Sequence, residues 1–157
     1  MRIVVISDSH KRAVVIDKIL SAEAEAEHIF FLGDYVKDIE DFEYIYTNKK
    51  FHIVSGNCDY LSTIPSVALE VLEGKRIFYT HGHTYYVKHG TEKLIEAAKQ
   101  NKYDIVLYGH THIANILYED GIYIVNPGSV SLAREGKPSY AVIDITENGI
   151  MPIIKYV

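Results

Sequence analysis

Met1-Arg-Ile-Val-Val-Ile-Ser-Asp-Ser-His10 opens the chain, and its reading decides the rest. The apolar run Ile3-Val4-Val5-Ile6 is β-branched throughout and lacks the polar alternation of a half-exposed strand, so it predicts a strand buried on both faces. It stops abruptly in a polar turn carrying Asp8 and His10. Open α/β sheets bind ligands just beyond the carboxyl ends of their strands. A carboxylate and an imidazole two residues apart in such a turn can both reach one divalent cation. A D-x-H turn by itself is usually just solvated, so the weight of the pair depends on whether the arrangement recurs.

Working outward, Lys11 to Ala22 places Val14, Val15, Ile19 and Leu20 at helical spacing, and Glu23-Ala-Glu-Ala-Glu27 reads as a solvated helix end. A second strand, His28 to Leu32, ends in Gly33-Asp34. Asp38 to Tyr46 suits one helix or helical turn. A third strand, Phe51 to Val54, ends in Ser55-Gly56-Asn57-Cys58-Asp59. This β-α-β-α-β order predicts parallel pairing with right-handed crossovers. From Val67 the pattern changes. Two apolar runs flank Glu73-Gly74, and the second, Arg76 to Thr80, leads into His81-Gly82-His83. A helix over Thr91 to Lys99 precedes the strand Asp104 to Tyr108, which ends in Gly109-His110-Thr111-His112. Asp120-Gly121 and Asn148-Gly149 then mark two hairpins, 115–125 and 140–157.

The 157 residues predict one domain, with no long linker, low-complexity tract or internal repeat. No stretch approaches the ~20 apolar residues that span a bilayer, and the first residues lack a signal-type apolar region, so a cytoplasmic protein without a membrane partner is expected. The single cysteine, Cys58, forms no intrachain disulfide and suits a reducing compartment. A net charge of −5 and only four arginines argue against a long nucleic acid as partner, because such binding leans on phosphate neutralisation by Lys and Arg.

The arrangement does recur. Five strands end in groups able to ligate a metal: Asp8 with His10, Asp34, Asn57, His81, and His110 with His112. Taken singly, Asp8 or Asp34 would cap a helix, Asn57 would be a turn residue, and His81 would be a surface or core histidine. Five such coincidences at one sheet edge are far less probable than a shared site. Mixed nitrogen and oxygen ligands without thiolate suit Mn²⁺, Fe²⁺, Zn²⁺, Co²⁺ or Ni²⁺, with Mg²⁺ preferring fewer imidazoles. Seven ligands suit two ions better than one.

These blocks (D-x-H, G-D, G-N, a strand-terminal His-Gly and G-H-x-H) resemble those of the calcineurin-like metallophosphoesterases. Gly56-Asn57-Cys58-Asp59 and Asn126-Pro-Gly-Ser129 are similar to those of its compact YfcE-type bacterial and archaeal phosphodiesterases. The resemblance implies a four-layer α-β-β-α sandwich of two mixed β-sheets. It implies one divalent ion, most often Mn²⁺, on Asp8, His10, Asp34 and His112, and a second on Asp34, Asn57, His81 and His110, with Asp34 as the bridge. It further implies hydrolysis of a small phosphodiester by a metal-bound hydroxide, with Asn57, Cys58, Asp59 and His81 as catalytic residues. Many members carry His where this chain has Cys58, and that His assists the leaving group. Cys58 is then an inert packing residue, a weak proton donor or a soft group near the second ion. Asp59 is expected to orient the Asn57 loop, and Asn126-Pro-Gly-Ser129 to form a substrate-side loop or to support the metal loops.

His83, two residues past His81, could reach the site, though a surface position is the favoured expectation; His28, His52 and His89 are expected in structural or solvated positions. Tyr35, Tyr85 and Tyr86 are candidates to touch an aromatic leaving group or to pack. Lys37 stands where an iron-tyrosinate phosphatase needs a tyrosine. The competing functions are a phosphomonoesterase or nuclease of the same superfamily, and a non-catalytic metal-binding scaffold. The antiparallel second half leaves an edge strand open for a homodimer or homotetramer.

Overall fold

The computed structural model describes residues 1–157. In chain order the elements are β1 (Arg2–Ile6), α1 (Ala13–Ala22), β2 (His28–Phe31), α2 (Lys37–Glu40), α3 (Phe42–Ile45), β3 (Lys50–Ile53), β4 (Val67–Leu72) and β5 (Lys75–Thr80). A 3-10 turn (His83–Tyr85) and α4 (Glu92–Asn101) lead to β6 (Ile105–Leu107), β7 (Ala114–Glu119), β8 (Ile122–Pro127), β9 (Ser139–Thr146) and β10 (Gly149–Tyr156). They build two five-stranded mixed sheets, ordered β10-β9-β1-β2-β3 and β4-β5-β6-β8-β7.

The uninterrupted apolar run of β1 has a geometric cause. Alternate side chains point to opposite faces of a strand, and both faces here are covered. Val4 and Ile6 pack with Ile29 and Phe31 of β2 against Ile16, Ile19 and Leu20 of α1 and Ile39 of α2. Ile3 and Val5 point the other way, with Phe30 and Leu32, onto Ile77, Ile105, Leu107 and Val125 of the second sheet. That second sheet turns Phe78, Val106 and Ile124 outward onto Leu94 and Ala98 of α4. Helices, sheet, sheet, helix: the four layers follow from three apolar interfaces. Each fully buried aliphatic side chain contributes about 1.5–3 kcal/mol. No helix is long and apolar enough to cross a membrane.

Two local expectations change. The single helix over Asp38–Tyr46 is two four-residue helices meeting at Asp41, whose carbonyl accepts from both Tyr44 and Ile45 N–H, the shared geometry of a helix terminus. Glu23 is buried rather than solvated, because Tyr140 Oη donates to it at 2.9 Å and Lys155 Nζ at 2.5 Å. This ties the end of α1 to β9 and β10.

Parallel pairing of β1 with β2 and β2 with β3 gathers their carboxyl ends at one edge of the first sheet, and that of β5 with β6 does the same in the second. The face-to-face packing of the sheets then brings the ends of β1, β2 and β3 opposite those of β5 and β6. The candidate site lies in that cleft.

Candidate metal centre

The loop after each strand bends sharply. Asp8, His10, Asp34, His110 and His112 all have positive φ, between 45° and 68°. A left-handed backbone costs a non-glycine residue on the order of 1 kcal/mol, and such strain gathers at functional sites. Glycine is obligatory at two of the closest approaches. A Cβ on Gly56 would collide with the Asp34 carboxylate, and one on Gly109 with the Ser7 hydroxyl.

The predicted ligands converge in two groups that share Asp34. In the first, ligand atoms of Asp8, His10, Asp34 and His112 all lie within 4.8 Å of one another. His112 Nε2 is 3.1 Å from Asp8 Oδ1 and 3.2 Å from His10 Nε2, and His10 Nε2 is 3.8 Å from Asp34 Oδ2. In the second, His81 Nε2 is 3.1 Å from Asn57 Oδ1, 3.1 Å from His110 Nδ1 and 3.5 Å from Asp34 Oδ1. The two Asp34 oxygens thus face different groups.

Donors are scarce where the atoms meet. His81 Nδ1–H donates to the Leu32 carbonyl at 2.7 Å, and His112 Nδ1–H to the Leu132 carbonyl at 2.8 Å. Each bond fixes the tautomer, so the neutral ring turns an Nε2 lone pair into the site, as metal-ligating histidines do. Asp8 Oδ1 is fully buried with no hydrogen-bond partner. An orphaned carboxylate oxygen among imidazole lone pairs is costly unless a cation occupies the space between them. The donor set fits a divalent metal on chemical grounds, with no thiolate and two carboxylates.

The titration behaviour agrees. Burial alone would raise the Asp8 carboxyl, but His112, His81 and the Ser7 hydroxyl outweigh it and hold its pKa below the usual range. If the His112 ring takes up a second proton, its Nε2–H would donate to Asp8 Oδ1, 3.1 Å away, and this raises the His112 pKa; a bound cation would stand in that proton's place. Burial, with His81 alongside, pushes His110 down to about 4, so its ring stays neutral at neutral pH.

The profile of the calcineurin-like phosphoesterase superfamily domain matches residues 1–148. The chain belongs to this superfamily. It is 29% identical over 147 residues to the probable metallophosphoesterase YsnB of Bacillus subtilis (92% of this chain, 85% of that one). It is 37% identical over 112 residues to the phosphodiesterase YfcE of Escherichia coli, covering 64% of this chain and 54% of YfcE. A crystal structure from Streptococcus pneumoniae TIGR4 shares the fold with a TM-score of 0.78 at 23% identity, covering 98% of this chain and 97% of that one. The two-sheet α/β architecture is therefore that of the metallophosphoesterases.

Against this superfamily background the supporting residues become legible. The Asp59 carboxylate accepts four backbone N–H groups, from Asp34, Tyr35 and Val36 at 2.9 Å each and from Gly56 at 2.8 Å. It therefore holds the Asp34 loop as well as its own, and its oxygens face amides rather than the ligand cluster. Asn126 Nδ2 donates to the Gly109 carbonyl and to Thr111 Oγ1, both at 3.0 Å, while the Ser129 and Ser131 hydroxyls donate to the Asp8 carbonyl. The Asn126–Ser129 loop thus sits behind the ligand loops as a buried support. Ser7, whose hydroxyl donates to Asp8 Oδ2 at 2.5 Å, is a further member that the sequence did not single out. Its signal was its place beside Asp8; the carbonyls of Leu32 and Leu132 left none, since every residue carries one.

The remaining candidates separate. Cys58 sits half-buried beside the centre, its N–H donating to Asp34 Oδ1 at 2.9 Å. Burial and the neighbouring Asp34 push its thiol up to about 11, so it stays protonated at neutral pH. His83 is not a surface residue. The turn at Gly82 folds its half-buried ring back to 5.4 Å from His81 and 6.1 Å from His110. The Tyr35 ring meets His10 edge-on at 5.4 Å, whereas Tyr85 packs on Phe78 and Tyr86 lies under Lys93. His28 and His52 hydrogen-bond to each other at 2.9 Å, away from the cluster.

Proposed function

We propose that this protein is a metal-dependent phosphodiesterase with a dinuclear centre. The observation that carries the proposal is the convergence of acceptor atoms into two groups joined by Asp34, with His81 and His112 tautomers locked to face inward. Asp8, His10, Asp34 and His112 would hold one ion; Asp34, Asn57, His81 and His110 would hold the other. When bound, divalent cations here lower the pKa of water and offset charge on the phosphoryl oxygens. The chain's own part is to hold these ligands without reorganisation. Struts at Ser7, Asn126 and Ser129, which are buried, and at the half-buried Asp59 do this, and the left-handed loops keep the donor atoms convergent. His83, near His81 and His110, adds a polar wall to the second group. The thiol of Cys58, protonated at neutral pH, is a poor proton donor, which favours diesters with acidic leaving groups. The phosphodiesterase name of YfcE supports the diester over the monoester.

The test is hydrolysis of bis-p-nitrophenyl phosphate against p-nitrophenyl phosphate by metal-free protein titrated with Mn²⁺, Ni²⁺, Co²⁺, Zn²⁺ and Mg²⁺. Diester preference that requires metal and disappears in Asp34→Asn is the expected result. Monoester preference moves the protein to the phosphatases. Inactivity with every metal leaves a binding scaffold as the better reading.

A further inference from the structure

A surface cavity of about 410 Å³ adjoins the ligand cluster on the side of Tyr35 and Cys58. These two residues directly follow the predicted ligands Asp34 and Asn57, so the loops that form the centre also form one wall of the cavity. Val36 and Ile64 line it and belong to the apolar layer beneath the first sheet. On the rim stand Tyr60 and Leu61, with 87% and 99% of their surface exposed. Two large side chains held in water by a short turn, closed by Ser62 N–H on the Asp59 carbonyl at 3.0 Å, contribute nothing to packing. Side by side at the mouth of a cavity next to a reaction centre, they are placed to cover a ligand.

The charge of the lining narrows what that ligand is. Lys37 and Glu40 offset each other, and the Asp59 carboxylate is already taken up by four backbone N–H groups. The cavity therefore has no surplus positive charge for a second phosphate. Its apolar surface and two tyrosine rings suit a planar, uncharged group, for which stacking and edge contacts are available. A pocket at the small end of the usual range of roughly 300–1,000 Å³ suits part of a ligand rather than a large one.

We propose that this cavity binds a neutral planar ring, the aryl or nucleobase end of one ester arm of the substrate, while the phosphoryl group occupies the ligand cluster. The inference rests on the phosphodiesterase reading and gives it a substrate class: diesters with a ring-bearing arm are preferred over dialkyl diesters.

Binding separates this inference from the reading beneath it. The Mn²⁺-loaded protein would be titrated calorimetrically with methyl phosphate, phenyl phosphate and uridine 5′-monophosphate, which share a phosphoryl head and differ in their arm. At least one ring-bearing ester should bind about tenfold or more tighter than methyl phosphate, the effect of burying much of one ring. The better of the two identifies the arm as aryl or nucleoside. In Tyr60→Ala/Leu61→Ala, whose exposed positions leave the core intact, that advantage should shrink to under about twofold while methyl phosphate binds as before. Equal binding of all three esters by the unaltered protein overturns the proposal, as does an advantage that survives the double substitution. Failure of all three to bind overturns the proposal together with the phosphoryl-binding role of the ligand cluster on which it rests.

Discussion

Asp59→Asn tests whether the centre is built by its supporting residues as well as by its ligands. The carboxylate accepts from Asp34 and Gly56 N–H through one oxygen and from Tyr35 and Val36 N–H through the other. An amide of the same shape keeps one acceptor and turns an NH₂ group toward two backbone donors. Two bonds to a charged group disappear, each worth roughly 1.5–3 kcal/mol, and the other two weaken. The site is partly buried, so water recovers a share of this, and a loss of about 2–4 kcal/mol is expected. Against a total stability of about 5–15 kcal/mol this is large. In urea the midpoint should fall by about 1–2 M without a change in slope. Loosening the Asp34 loop should also weaken metal binding by about 10- to 100-fold, as loss of an outer partner does elsewhere. A midpoint within about 0.3 M of the unaltered protein, with unchanged metal affinity, would refute the assignment of Asp59 as a strut.

With its pKa pushed up to about 11, Cys58 should react with iodoacetamide at pH 8 on the order of a hundredfold more slowly than a free cysteine; a rate near that of the free thiol would contradict the burial argument. Cys58→His should raise turnover of diesters with poor leaving groups more than of nitrophenyl esters, and equal changes would remove the leaving-group argument. Gly56→Ala, whose new Cβ collides with the Asp34 carboxylate, should lower metal affinity by about tenfold or more in calorimetry. Burial pushes His52 down to about 4, so the unfolded chain binds the proton first and stability should decline as pH falls from about 6.5 to about 4. His52→Phe should reduce this decline by roughly 1–2 kcal/mol after allowance for solvent screening, read from urea midpoints at pH 7 and 4.5; an identical decline in both proteins would place the effect elsewhere.

How much was legible in advance varies with the range of the interaction. β1 was readable because burial on both faces removes polar residues from every position, and the Asp-Gly and Asn-Gly pairs of the late hairpins carry their turn chemistry locally. Glu23 was misread: its charge indicated solvent, and only the approach of Lys155 and Tyr140 from more than a hundred residues away makes its burial tolerable. The helix expected over 38–46 broke at Asp41 because short segments take their boundaries from tertiary packing. His83 was assigned to the surface because nothing nearby in sequence reveals that Gly82, at φ 104°, turns it back toward His81.

By itself, the sequence determined which side chains are available for chemistry and that each stands just past a strand. Strand endings and side-chain types are local properties, written in hydrophobic pattern and residue identity. Only the tertiary structure decided which atoms meet. It divided seven predicted ligands into two groups about Asp34, locked His81 and His112 against distant carbonyls, and assigned Asp59 to four amides. Those outcomes depend on the stacking of two sheets and on backbone groups common to every residue, and neither leaves a mark in the order of the amino acids.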